Sequence, residues 1–173
     1  GMRTTTLGGK DMGFGYGSQP LIVKWYKNIR ELMNIKEDSK NTTAMKEVIY
    51  PANDGRIYYL DLDKMIYSRD IQEVGYPMQS TAAINPYGYP LLYVGQTEDA
   101  VSDYKGIIGM RVYSLIDQKM IEFIPGMNPQ AYKETGEIFS SPVIESDSDT
   151  LIYGAENGML YTVAMNTYFD VAT

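Results

Sequence analysis

Leu151-Ile-Tyr-Gly-Ala-Glu-Asn-Gly-Met-Leu-Tyr-Thr-Val-Ala-Met165 is the stretch that decides the fold. A near-copy stands 103 residues earlier, Val48-Ile-Tyr-Pro-Ala-Asn-Asp-Gly-Arg-Ile-Tyr-Tyr-Leu-Asp-Leu62. The two align over fifteen positions without a gap and share Ile49/Ile152, Tyr50/Tyr153, Ala52/Ala155, Gly55/Gly158 and Tyr58/Tyr161. Each reads as an apolar strand, an Asn/Asp/Glu-Gly turn and a returning strand. Glycine at the turn supplies the positive φ that a tight hairpin needs.

Working outward, the same unit recurs in weaker form. Leu91-Leu-Tyr-Val-Gly95 repeats the strand of 48–52, and Arg111-Val-Tyr-Ser-Leu115 matches Arg56-Ile-Tyr-Tyr-Leu60 at an offset of 55. That offset also carries Lys64-Met-Ile66 onto Lys119-Met-Ile121, so about twelve extra residues separate Gln96 from Gly109. Ser140-Ser-Pro-Val-Ile144 echoes Ser18-Gln-Pro-Leu-Ile22 and Ser80-Thr-Ala-Ala-Ile84, so three units start at Ser18, Ser80 and Ser140. Each unit reads strand A, strand B, turn, strand C, with a strand D in the first two. Regular four-stranded units at this period predict radially repeated blades, over 18–79, 80–139 and 140–173. The expected class is all-β, with residues 18–173 as a single domain.

Two stretches break the pattern. Residues 1–17 hold six glycines, yet no apolar strand precedes them and no helix follows, as a phosphate loop would require. A flexible tail or an edge-strand lead-in is expected there. Beyond the strand Leu21-Ile-Val-Lys-Trp25, the period changes near residues 28–38. Ile29, Leu32 and Met33 at i, i+3 and i+4 predict one short amphipathic helix, with Asn28 as its cap and Glu31 completing a capping box. Lys40 to Lys46 reads as a polar linker.

Composition narrows the chemistry. The net charge of −7, without a clustered basic stretch, argues against nucleic acid. With no Cys there is no disulfide, thiol nucleophile or thiolate metal site, and with no His the commonest general base and metal ligand is missing. Catalysis would fall to carboxylates, Tyr, Lys, Ser or Thr, which argues against an enzyme. No run approaches the ~18 apolar residues of a transmembrane helix. No signal peptide is visible, and Gly1-Met2 reads as a start in which Gly1 is a cleavage scar. Sixteen Tyr suit half-buried strand positions, so Tyr50, Tyr58, Tyr93, Tyr113, Tyr153 and Tyr161 are assigned to the blade core.

The pattern hydrophobic-Tyr-x-x-x-[Asn/Asp]-Gly-x-hydrophobic-Tyr-x-hydrophobic, with the Ser-Ser-Pro-Val-Ile lead-in, resembles the repeat of PQQ-like β-propellers. The resemblance covers most of 18–167 and implies an incomplete propeller. It also implies a bacterial, extracytoplasmic setting. The family's quinoprotein dehydrogenases close each blade with Gly-Lys-x-x-Trp, where this chain has Tyr67 and Phe123, and their vicinal-cysteine disulfide cannot form here. No match to their cofactor-stacking Trp or calcium carboxylates is present, so no cofactor is expected. A closed propeller takes four to eight blades. Fewer than three complete ones here imply the remaining blades of a longer chain, or self-association.

Strand alternation places the B–C and D–A connections on one face. The two most elaborated connections after residue 70, 96–109 and 125–139, both fall there, with Gln96, Glu98, Asp99, Asp103, Tyr104, Lys105, Tyr132, Lys133 and Glu134. Carboxylates with Tyr and Lys suit recognition of a protein or glycan. The expected function is thus a non-enzymatic binding or scaffold module. The alternative is a carboxylate-based hydrolase or lyase acting on polysaccharide, through Glu98, Asp99 or Glu134 with Tyr104; a PQQ-dependent oxidoreductase ranks below both. The sets Asp61/Asp63 and Glu145/Asp147/Asp149 have the oxygen ligands calcium takes, but they lie at expected turns and lack EF-hand spacing. Turn formation is expected of them, and no metal site.

Overall fold

The computed structural model describes residues 17–98 and 106–170, together with the backbone of 6–7 and 10–11. It is 37% strand and 5% helix, in three antiparallel sheets of three to five strands. Strands β1 (Thr6–Leu7) and β2 (Lys10–Asp11) pair as a small hairpin within the glycine-rich N-terminus, so part of that segment is paired strand; its other residues lie outside those described.

The first sheet runs β3 (Leu21–Trp25), β4 (Met45–Pro51), β5 (Arg56–Asp61), β6 (Ile66–Tyr67), with β7 (Gln72–Glu73) also pairing β5. The second runs β8 (Ala83–Ile84), β9 (Leu91–Gly95), β10 (Gly109–Ser114), β11 (Met120–Pro125). The third has β12 (Val143–Glu145), β13 (Thr150–Gly154) and β14 (Leu160–Ala164). Apart from β7, which returns past β6 to pair with β5, neighbours in each are consecutive in the chain, so the sheets are meanders.

The repeated hairpin is repeated in atomic detail. Tyr50 pairs with Tyr58 across β4–β5, and Tyr153 with Tyr161 across β13–β14. Gly55 and Gly158 take φ of 76° and 85°, as the turn requires. Asp54 Oδ1 accepts the Arg56 amide at 3.1 Å, and Asn157 Oδ1 accepts the Met159 amide at 3.0 Å. The Tyr58 hydroxyl donates to Asp54 Oδ2 at 2.6 Å, whereas the Asn157 side-chain amide donates to the Tyr161 hydroxyl at 2.8 Å. Burial, with the Asp54 hydrogen bond adding to it, pushes the Tyr58 phenol well above its usual range. Desolvation does the same to Tyr59 and Tyr153.

Two apolar clusters fill the spaces between sheets. Ile49, Ile57 and Tyr59 of the first sheet meet Leu92, Val94, Tyr113 and Leu115 of the second. The opposite side of the second sheet, Tyr93, Met110 and Val112, meets Leu151 and Tyr153 of the third. The second sheet departs from the register that the repeat predicts. Aligning 91–95 on 48–52 puts Tyr93 in the place of Tyr50, but Tyr113 pairs with Leu92, not Tyr93. The second sheet is therefore one residue out of that alignment. A one-residue shift turns each side chain to the other side of the sheet, so Tyr93 faces the third sheet while Tyr113 faces the first. Tyr93 stays in the core on the other side.

The predicted single helix is also corrected. Two four-residue helices stand in its place, α1 (Lys27–Arg30) and α2 (Glu37–Lys40). Tyr26, not Asn28, occupies the N-cap of α1, and no side-chain cap bond forms. The break has a tertiary cause. The Asn34 amide donates to Ile116 O at 2.7 Å, and the Asn34 side chain bonds Arg69 and Gln118. A helix of about eleven residues is marginal alone, and these bonds to the second sheet outweigh it. Met33 and Ile35 enter the core; Leu32 stays exposed. The polar linker is likewise shorter than expected, because β4 already begins at Met45.

One consequence of the repeat is testable. Leu160 is the counterpart of Ile57, since the two hairpins superpose at the offset of 103. Yet Ile57 is 0% exposed and Leu160 70% exposed. Ile57→Val removes one carbon and should destabilise by about 1 kcal/mol. Leu160→Ala removes three and should cost about 0.5 kcal/mol or less. Chemical denaturation of both variants checks this order. A larger loss from Leu160→Ala would mean that the outer side of the third sheet is covered in solution.

Candidate functional site

The connection between β11 and β12, residues 126–142, crosses the ends of the second and third sheets on a frame of backbone bonds. Gly126 donates to Ile108 O at 2.9 Å, Lys133 to Asn157 O at 3.0 Å, and Glu156 to Glu137 O at 3.0 Å. The Ile138 amide donates to Gln96 O at 2.9 Å. The Asn157 side-chain amide also reaches Gly126 O at 3.1 Å, and Glu137 Oε1 accepts the Glu98 amide at 3.2 Å. The connection after β9 is tied to the first sheet as well. Thr97 donates to Pro77 O at 2.9 Å, and the Tyr76 hydroxyl to Gly106 O at 2.8 Å. Buried backbone groups need such partners, and here they fix a long connection in one arrangement.

The described parts of the two connections touch at one end of the strands, where the Ile138 amide reaches Gln96 O and the Glu98 amide reaches Glu137 Oε1. Of the predicted site residues, Glu98, Tyr132, Lys133 and Glu134 are exposed there. Tyr132 is the most prominent, at 89% exposure. Its backbone is nonetheless held, because the Lys133 amide is bonded and its Cβ lies close over Gly158. A Cβ added to Gly158 would sit 3.2 Å from that of Tyr132. Gln96 is different: it is buried, and its Oε1 accepts Arg111 Nε at 2.7 Å. Arg111 in turn lies over the Phe123 ring at 4.4 Å. Gln96 therefore belongs to the packing beneath this face. Asp99, Asp103, Tyr104 and Lys105 lie outside the described residues.

Asn157, Glu137 and Gly126 support the face and were not singled out from sequence. Asn157 carried a signal, since it occupies the turn position of Asp54 in the repeat. Glu137 and Gly126 carried none, because their partners are remote in the chain.

The other carboxylate sets form turns. Asp61 Oδ1 accepts the amides of Asp63 and Lys64 at 3.0 and 3.1 Å. Glu145 accepts the Asp147 amide at 3.1 Å and both the amide and hydroxyl of Ser148, at 2.8 and 2.5 Å. The Ser148 hydroxyl first, then these amides, hold the Glu145 carboxyl below its usual range. Among the described residues no three carboxylates come together as a cation site would require. No helix among them is long and apolar enough to cross a membrane. Compared with protein-family models and with curated proteins, the chain matches none.

Proposed function

We propose that this chain is a non-enzymatic binding or scaffold module, built as part of a β-propeller, that takes a protein or glycan ligand on the face carrying residues 126–139. The propeller reading rests on three meander sheets stacked side to side with repeat-equivalent hairpins. Leu160, exposed where Ile57 is covered, supports a further sheet or a second copy lying against the third sheet. An extracytoplasmic setting is part of the same reading and is supported by the PQQ-like resemblance alone.

One observation carries the binding reading: Tyr132 is almost fully exposed on a connection whose backbone is pinned on both sides. Tyr offers a large contact area with few rotamers to immobilise, and a fixed backbone lowers the entropy lost on binding. Flanking Lys133 and Glu134 supply polar groups at its edge. Screening the whole chain against peptide and glycan arrays, then repeating with Tyr132→Ala, tests the reading. A Tyr anchor removed from a contact centre is expected to weaken binding about thirtyfold or more, with the melting temperature unchanged. Equal binding by the variant would overturn it, and release of product from any glycan would favour the carboxylate-based hydrolase.

A further inference from the structure

At the other end of the strands, α1, α2 and the segment that follows enclose an open polar cleft of about 740 Å³. That volume is in the range of small-molecule sites. Lys27, Arg30, Glu31, Glu37, Lys40 and Thr42 are among its lining. The charges are unevenly placed. Arg30 is 1% exposed, and its guanidinium donates to the Thr42 hydroxyl at 3.2 Å and to the Thr42 carbonyl. Among the described residues, no carboxylate lies within ion-pair distance of it. Lys40 is next most enclosed, its side chain 24% exposed. Its partner Glu37 stands 3.7 Å away with a side chain 79% exposed. Lys27 and Glu31 form a similar loose pair at 3.6 Å, both largely in solvent.

The acids thus sit at the rim, where water screens them, and two cations lie deeper. A buried guanidinium held by neutral acceptors alone is an incompletely compensated charge. Three cations against two carboxylates also leave the lining at +1, on a chain of net charge −7. Arg is the side chain best suited to fork onto an oxyanion, and Lys adds a point charge beside it.

We propose that this cleft binds an oxyanion group, a sulfate, phosphate or carboxylate borne on a small molecule, with Arg30 and Lys40 as its cationic partners and the Thr42 hydroxyl beside them.

Titrating the intact chain with sulfate, phosphate and glucuronate at constant ionic strength, with chloride as control, tests this by amide NMR. Saturable shifts confined to residues 27–31 and 37–43 are expected from at least one of the three, and the tightest ranks the oxyanion. Lys40→Gln should weaken that binding about threefold or more, because one near charge is removed. Arg30→Gln should abolish it; should that variant unfold, Lys40→Gln alone decides. Shifts reproduced by chloride, shifts spread over the whole chain, or a saturation curve unchanged by Lys40→Gln would overturn the proposal.

Discussion

Glu47→Gln is expected to lower the melting temperature by about 6–20 °C, a large fraction of the margin that keeps a chain this long folded. Glu47 and Arg69 form an ion pair in which neither side chain is exposed to solvent. Arg69 reaches both carboxylate oxygens, Nε to Oε1 and Nη2 to Oε2, each at 2.8 Å. The Ser68 hydroxyl donates to Oε1 at 2.6 Å, and the Trp25 indole N–H to Oε2 at 2.7 Å. All four partners are donors. Gln offers one acceptor oxygen and one donating amide, so one side of its head group would meet donors with a donor. The Arg69 charge would also be left without its counter-charge.

Breaking a buried pair from one side destabilises by about 3–5 kcal/mol, and a domain of this size loses about 2–4 °C per kcal/mol. The effect spreads because Arg69 reaches further. Its Nη1 bonds the Leu115 carbonyl and Asn34 Oδ1, and its guanidinium lies 5.2 Å from the Tyr59 ring centre. One cation therefore ties the first sheet, the α1–α2 insertion and the second sheet together. Thermal melts followed by circular dichroism check this, together with the double variant Glu47→Gln/Arg69→Met. Removing both charges should recover part of the loss, since the unpaired charge and not the missing bond is the larger penalty. A shift under about 3 °C for Glu47→Gln would show that water reaches the pair.

This network also shows where sequence reading reaches its limit. Alternation reads well when inward residues are apolar. In Met45-Lys46-Glu47-Val48-Ile49 the inward phase carries a carboxylate, so the strand looked like the end of a polar linker. Glu47 turns inward because Arg69, twenty-two residues on, lies outside any window in which periodicity operates. The hairpins at 48–62 and 151–165 were legible because strand, turn glycine and facing Tyr are all local. The second unit was legible only in outline, because the insertion between Gln96 and Gly109 removes the turn that fixes register. With the turn gone, Tyr93 matched Tyr50 by letter and not by side.

The candidate face was legible as a coincidence of loop lengths on one end of the strands. What holds it was not. Its ties are backbone amides of Lys133, Glu156 and Ile138, and a backbone donor looks the same in every residue but proline. The charged cleft escaped for a related reason. Arg30 lies within the single helix predicted near residues 28–38, and only the break after it brings Thr42 to its guanidinium.

Gly126→Ala is expected to undo the face while sparing the sheets. A Cβ at Gly126 would lie 1.9 Å from the carbonyl oxygen of Gly136, and 2.7 and 2.8 Å from its carbonyl carbon and Cα. These are backbone atoms, so no rotamer change relieves the contact. The two ends of the connection must part at their neck. Gly126 also gives its amide to Ile108 O and takes the Asn157 amide on its own carbonyl, so both bonds are stretched by the same movement. Overpacking typically destabilises by about 1–3 kcal/mol, and a clash between two backbones belongs at the upper end. Local opening of 126–139 offers a cheaper response than global unfolding. Hydrogen exchange separates the two. The Lys133 and Glu156 amides should lose protection in Gly126→Ala, whereas the Ile49 and Tyr59 amides of the first hairpin should keep theirs. Ligand capture through Tyr132 should fall with them, because the ring would remain but its fixed backbone would not. Retained protection at Lys133 and Glu156 would mean that the neck yields without opening, and that Tyr132 is placed by something other than the bonds beneath it.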